Sequence, residues 1–403
     1  MIHIMNNHSS ASAVRLPRYW PLIFAVASGM SVANIYYAQP LLDAISNDLS
    51  MSASTIGIVV TVTQIFYAFG LALLVPLGDL VNRRKLIIGQ LLLSAAALAA
   101  VGFSPTGITL LASMAAVGLL AVITQTLVAF ASTLASPAER GRIVGLVTSG
   151  IVIGILLART LAGIVSDLGG WRAVYWSSAV VTILMVGLLS RIWPRNEAVA
   201  APASLSYGQL LQSLFRLFME ERILQVRGVL ALLIFTAFST LWTSLVLPLS
   251  APHYSLSNTQ IGLFGLFGVA GALAAAKAGR LADRGRGQQT TGVALALLLV
   301  SWLPISLTDQ SLIALIIGII VLDLAVQAVH VTNQSLIFTK KPEARSRLTG
   351  GYMIFYSIGS AIGSIASTYL YAHYGWYAVC LLGAGVSALA LGFWSMTRRM
   401  TAS

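Results

Sequence analysis

Charge is scarce in this chain. Of its 403 residues only 9% are Asp, Glu, Lys or Arg, and 57% are hydrophobic, against about 25% and about 45–50% in soluble globular chains. So few charges cannot cover a surface that faces water on every side, which excludes a soluble globular protein. A single cysteine, Cys380, excludes an internal disulfide, a cysteine zinc site and an iron–sulfur cluster. The five histidines are scattered and none opens a His-Glu-x-x-His pair. None of the four lysines stands in a Walker A context, so neither a zinc peptidase nor an ATP-driven pump fits this chain alone. No cofactor and no metal site are expected, and the protein is not expected to be an enzyme.

What the chain has instead is long apolar runs. Twelve are candidates for crossing a bilayer, near 20–42, 56–77, 86–103, 107–134, 143–166, 173–193, 226–249, 259–281, 290–307, 311–338, 348–371 and 375–396. Twelve helices of about 22 residues use roughly 264 positions and leave roughly 139 for connections and tails. An even number of crossings puts both ends on one side. With the ends in the cytoplasm, 22 of the 24 basic residues fall in inside segments, leaving only Arg159 and Arg172. That bias sets the orientation and accounts for the net charge of +12 without nucleic acid; anionic lipid headgroups are sufficient partners. The polar N-terminal stretch has no cleavable signal pattern. The organisation expected is a cytoplasmic tail (1–19), a six-helix bundle (20–194), a linker (195–225), a second bundle (226–396) and a short cytoplasmic tail (397–403). In the linker, Tyr207, Leu210, Leu211, Leu214, Phe215 and Phe218 recur at helical spacing, so its second half reads as a helix lying on the cytoplasmic face.

The two bundles repeat one another. Leu77-Gly78-Asp79 returns as Leu281-Ala282-Asp283 after 204 residues. Pro137, Arg140, Arg142 and Gly145 return as Pro342, Arg345, Arg347 and Gly350 after 205, and Gly170-Trp171 as Gly375-Trp376 at the same offset. Three separated blocks at one offset indicate a duplicated six-helix unit. Within it, Gly150, Gly154, Ala158 and Ala162 in span 5, and Gly359, Gly363 and Ser367 in span 11, put small residues on one helical face, where backbones can pack closely in lipid.

Pro76-Leu77-Gly78-Asp79-Leu80-Val81-Asn82-Arg83-Arg84-Lys85 resembles the cytoplasmic 2–3 loop signature of the major facilitator superfamily, G-x-L-A-D-R-x-G-R-R, and Gly279-Arg280-Leu281-Ala282-Asp283-Arg284 is a better copy. Val75, Leu80 and Asn82 depart from the pattern. The resemblance implies an all-α membrane protein of twelve transmembrane helices in two pseudo-symmetric six-helix bundles. In that fold spans 1, 4, 7 and 10 line a central cavity and span 5 borders the interface between halves. It also implies gating roles for Asp79, Arg83, Arg84, Arg140, Asp283, Arg284 and Arg345, whose ion pairs at the cytoplasmic helix ends would break when the halves rock. Span 5 keeps only Gly150-x-x-x-Gly154 of the family's antiporter signature, with Ile155 in place of its proline.

An ionised group in mid-membrane costs about 2.5–3.5 kcal/mol even on lenient scales, so each needs a partner or a purpose. Asp323 is the acid deep within a span and Arg159 the base at comparable depth. The expectation is that they pair across the cavity and separate when a proton or the solute intervenes. From Asp323, Gln327, His330 and Gln334 continue along one face of span 10, a polar stripe suited to lining water. Asn34 and Tyr37 in span 1, Gln64 in span 2, Gln125 in span 4 and Trp242 in span 7 complete the candidate substrate and proton path. The overall pattern resembles drug and small-metabolite efflux members of the superfamily more than sugar importers, and that resemblance implies proton-coupled export, by alternating access, of a small organic solute such as a drug, sugar or metabolite. The protein is expected to be a monomer in a bacterial inner membrane. Import of a metabolite, a passive pore and a membrane-embedded enzyme remain the alternatives.

Overall fold

A computed structural model describes residues 19–135, 139–193, 206–268, 277–338 and 345–398. The expected tails and the first part of the linker lie outside these residues. Among the described residues the regular elements are all helices, and ten runs are long and apolar enough to cross a membrane. The last of the ten, Leu348–Thr397, holds 50 residues. Straight, it would reach about 75 Å, far beyond a hydrocarbon core of about 30 Å. It is broken at Gly375, where φ is 76°, and so divides into spans 11 and 12. The eighth apolar run opens as helix Asn258–Leu263, tightens through the 3₁₀ turn Phe264–Gly268 and is helical again at 277–281; the residues between lie outside the described ones.

Local chemistry sets the breaks. Span 1 runs as helix from Trp20 to Tyr36, passes through a 3₁₀ turn at Gln39–Leu41 and ends as helix Leu42–Asp48. Pro40, which has no N–H to give, sits in the turn. Asn82 caps span 3 by accepting the Lys85 N–H, and Ser257 and Gln260 form a capping box at the start of span 8.

The repeat is visible in three dimensions. Gly170 and Gly375 share the same conformation, φ 77° and 76°, which a side chain adopts only with strain. Each is followed by a buried tryptophan whose indole N–H is donated to a neighbouring span end, Trp171 to Asp48 and Trp376 to the Ile305 carbonyl, both at 3.0 Å. In the first half, side chains at Gly150 and Gly154 would run into the carbonyls of Ala25 and Gly29; in the second, Gly359 and Gly363 stand in the same way against Leu232 and Thr236. The small-residue faces therefore pack span 5 on span 1 and span 11 on span 7.

The two halves meet through spans 2 and 11 and through spans 5 and 8. Gly57 lies against Ser364 and Thr368, and Gly163 against Asn258. Each contact carries one threonine bond, from Thr61 to the Ala361 carbonyl (2.9 Å) and from Thr160 to the Gly262 carbonyl (3.0 Å). Helix Tyr207–Glu220 touches both halves, its Tyr207 hydroxyl donating to the Leu73 carbonyl and the Phe218 ring lying 5.5 Å from that of Phe355.

Candidate functional site

Arg159 and Asp323 are both buried, 3% and 5% exposed, where the halves meet. They do not form the direct ion pair that their depths suggested. Trp242 of span 7 stands between them. The Arg159 guanidinium carbon lies 4.0 Å over the Trp242 ring, while the indole Nε1 donates in the plane of that ring to Asp323 Oδ1 at 3.1 Å. Stacking satisfies the face of a guanidinium, and an N–H donor satisfies a carboxylate, so one indole serves both charges. Arg159 Nε donates to Gln39 Oε1 at 2.8 Å, and the guanidinium also lies 5.2 Å from the Tyr36 ring and 5.6 Å from that of Phe238.

Span 8 makes room for this cluster with glycine. A side chain on Gly268 would come within 2.6 Å of Asp323 Oδ2, and one on Gly265 within 3.2 Å of Arg159 Cβ. Around the charges runs an aromatic wall. Phe238 stacks toward Trp242 at 6.2 Å, Phe235 lies 5.9 Å from Phe238, and Tyr356 packs on Phe235 at 4.1 Å. The hydroxyls of Tyr36 and Tyr356 bond to each other across the halves.

The other residues named from sequence divide into two groups. Gln327, His330 and Gln334 are partly exposed along span 10, with Asp323 at the buried end of their stripe. His330 Nδ1 is 3.0 Å from the Tyr352 hydroxyl, and the ring meets Phe235 edge-on at 5.2 Å. Gln64 is buried on span 2 with Oε1 lacking a hydrogen-bond partner, and Gln125 of span 4 is half-buried. Asn34 and Tyr37, by contrast, turn to span 6, where Ser178 donates to Asn34 Oδ1 at 2.8 Å and Tyr175 packs edge-on against Tyr37. They are not brought together with the Arg159–Asp323 cluster.

Of the loop residues, Arg83 donates to the Gly78 carbonyl at 3.0 Å and to Thr133 at 2.9 Å, and Arg84 to the Ser190 carbonyl at 3.2 Å. These bonds tie spans 3, 4 and 6 to one another. Arg284 is exposed. The side chains of Asp79, Arg140, Asp283 and Arg345 lie outside the described ones.

Three features escaped sequence reasoning. Tyr352 and Tyr356, near the start of span 11, have the look of interfacial anchors, but both are buried beside His330 and Tyr36. The link from Gln39, one of the polar groups that span 1 offers beside Pro40, to Arg159 on span 5 could not be read from spacing. Arg227, counted among the loop cations, is fully buried and bonds Thr291 and Asn333, each at 3.3 Å.

Comparison with known proteins agrees with this architecture. The family model described as Major Facilitator Superfamily matches residues 22–247 and 227–403. The chain is 47% identical over 373 residues to the uncharacterized transporter YgaY of Escherichia coli O157:H7, covering 93% of this chain and 94% of that one. It is 27% identical over 309 residues to a chloramphenicol resistance protein of Streptomyces lividans, covering 75% of each. Its fold is similar to that of a bacterial homologue of the human lysosomal transporter Spinster, solved in an inward-facing and occupied conformation, with TM-score 0.73, 15% identity, and 94% and 96% of the two chains covered. The chain belongs to the Major Facilitator Superfamily.

Proposed function

We propose that this transporter exports a small organic solute in exchange for protons, by alternating access, with Asp323 as the proton acceptor and Arg159 as the group that senses its charge across the halves. The observation that carries the reading is the arrangement around Trp242: an acid from one half and a base from the other, held in mid-membrane by one indole. Charges are retained at that depth where they do work, because the membrane penalises them otherwise. A proton or a solute on Asp323 weakens the attraction that Arg159 feels, and Arg159 belongs to span 5, which carries the contact with span 8. The resistance protein among the relatives supports outward movement of an organic compound.

In this reading residues 20–194 and 226–396 are the two rocking bodies, joined by the 195–225 linker. The half-exposed stripe Gln327, His330 and Gln334, with Gln64, Gln125 and Trp242, lines the path. Asp79, Asp283 and their neighbouring arginines hold the cytoplasmic ends. The molecule works as a monomer in a bacterial inner membrane with both ends in the cytoplasm.

Inverted membrane vesicles carrying a proton gradient test this directly. Addition of a transported solute should release protons from wild-type vesicles and not from vesicles holding Asp323→Asn. Undiminished proton release in that variant would remove Asp323 from the mechanism.

A further inference from the structure

We infer that the solute is a zwitterion, an amino-carboxylate with an apolar body, its carboxylate seated on Arg159 and its ammonium group on Asp323. The inference rests on the transport reading above and names the solute class for that site.

Arg159 holds an unused donor. Its Nε is committed to Gln39 and its face to Trp242, but Nη2 is buried with no acceptor. A desolvated guanidinium N–H without a partner is costly, and a carboxylate is the acceptor whose two oxygens match the guanidinium fork. Asp323 is likewise half committed. Oδ1 takes the indole N–H, while among the described residues no donor reaches Oδ2, which faces the bare Cα of Gly268.

The two half-committed charges flank one indole, the guanidinium over its face and the carboxylate at its N–H edge. A ligand that carries both a carboxylate and an ammonium group can offer one to each. Neutrality selects the same class. The site already balances one positive and one negative charge, so an organic anion or cation alone would leave net charge in mid-membrane, whereas a zwitterion leaves none. The remaining titratable groups facing the pair are phenols, Tyr36 from span 1 and Tyr356 from span 11, with Tyr67 of span 2 behind them and His330 two turns along span 10 bonded to Tyr352. None of the phenols supplies a second fixed charge. Phe235, Phe238 and Tyr356 give the apolar body a wall to lie on. The ammonium group and the proton compete for the same carboxylate, which is what exchange requires.

The probes are phenylalanine, tryptophan and leucine, each compared with its amide, which keeps only the cation, and its N-acetyl derivative, which keeps only the anion. Binding is measured calorimetrically on the full-length protein in lipid nanodiscs. For at least one of the three bodies the zwitterion should bind about tenfold or more tightly than either analogue, because a site built for both groups leaves one unpaired when its partner is missing. Arg159→Gln should erase the preference over the amide, Arg159→Lys should keep part of it, and Asp323→Asn should erase the preference over the N-acetyl form. Each preference is a ratio within one variant, so differences in folded yield cancel, and the wild-type series decides the matter where a variant does not fold. If no zwitterion binds more tightly than the better of its analogues, the assignment is overturned. Proton release by some other solute in the vesicle assay alongside that result would leave the exchange reading standing and remove the solute class alone.

Discussion

The two halves of this molecule are copies in their frame and opposites in their chemistry. Gly170 and Gly375 make the same turn, and the same pairs of spans close on glycine in each half. Yet at the offset of 205 that aligns these turns, the position of Arg159 is held by Ser364 and that of Asp323 by Gly118. Ser364 bonds Thr243 at 2.9 Å, and a side chain at Gly118 would strike the Thr63 carbonyl. Each charge thus has a small, closely packed residue for its counterpart. Duplication preserved what lipid demands of any helix bundle, small faces and tight turns, while the buried charges Arg159, Asp323 and Arg227 each stand in one half without a charged counterpart, Leu22 being the residue that matches Arg227.

The comparison is broken most severely by removing one of the unmatched charges. Asp323→Asn should reduce proton-linked flux by about two orders of magnitude, the scale of leaving a buried charge such as Arg159 without its opposite. Reconstituted vesicles measure this, and a loss no greater than that caused by Ser364→Ala would mean that the charged positions are no more special than their copies. Next in size are the matched positions. Gly154→Leu and Gly359→Leu each force a side chain into a facing helix, and overpacking of that kind costs about 1–3 kcal/mol. Thermal unfolding in detergent should fall by similar amounts for the two, while Gly145→Ala, with nothing within 4 Å, should not lower it. A large effect in one half and none in the other would refute the structural equivalence. Of similar size or smaller, Gly170→Ala and Gly375→Ala should each cost about 1–3 kcal/mol for holding a side chain at positive φ with extended ψ, and in equal measure.

How much of this was readable in advance follows from what the membrane imposes. Lipid admits helices and closed barrels, and runs this long and apolar fit only helices, so the spans, the repeat and the acid Asp323 deep within one of them are legible from composition and spacing. Rotation about a helix axis is not. Neighbouring residues differ by about 100° around an α-helix, so Tyr36 faces Arg159 while Tyr37 faces Tyr175, and no pattern in Asn34-Ile35-Tyr36-Tyr37 says which. From sequence Arg227 counts as a loop cation because it stands near the end of an apolar run, but the helix begins at Arg222, which carries Arg227 into the bundle beside Asn333. The indirect link between Arg159 and Asp323 needed the position of Trp242, which belongs to a third helix and leaves no mark in the spacing of the other two.

The most delicate test concerns a bond that only one of the two contacts between halves possesses. Asp167, at the end of span 5, accepts the backbone N–H groups of Asn258 (3.2 Å) and Thr259 (2.8 Å) at the start of span 8. At the offset of 205 its counterpart is Ala372, so the span 2 and span 11 contact has no such latch. A carboxylate on the first N–H groups of a helix is worth about 1 kcal/mol. Asp167→Asn keeps the shape and removes the charge, and should shift the balance between closed and open states about fivefold. Cys380 is buried, so cysteines introduced at the exposed Leu168 and Leu263 can carry spin labels with little background. The distance distribution between them should broaden toward longer values in Asp167→Asn, whereas labels placed across spans 2 and 11 should move less. Equal movement at both contacts would show that the halves swing as rigid bodies, with neither contact able to loosen alone, and an unchanged distribution at both would show that Asp167 holds nothing shut.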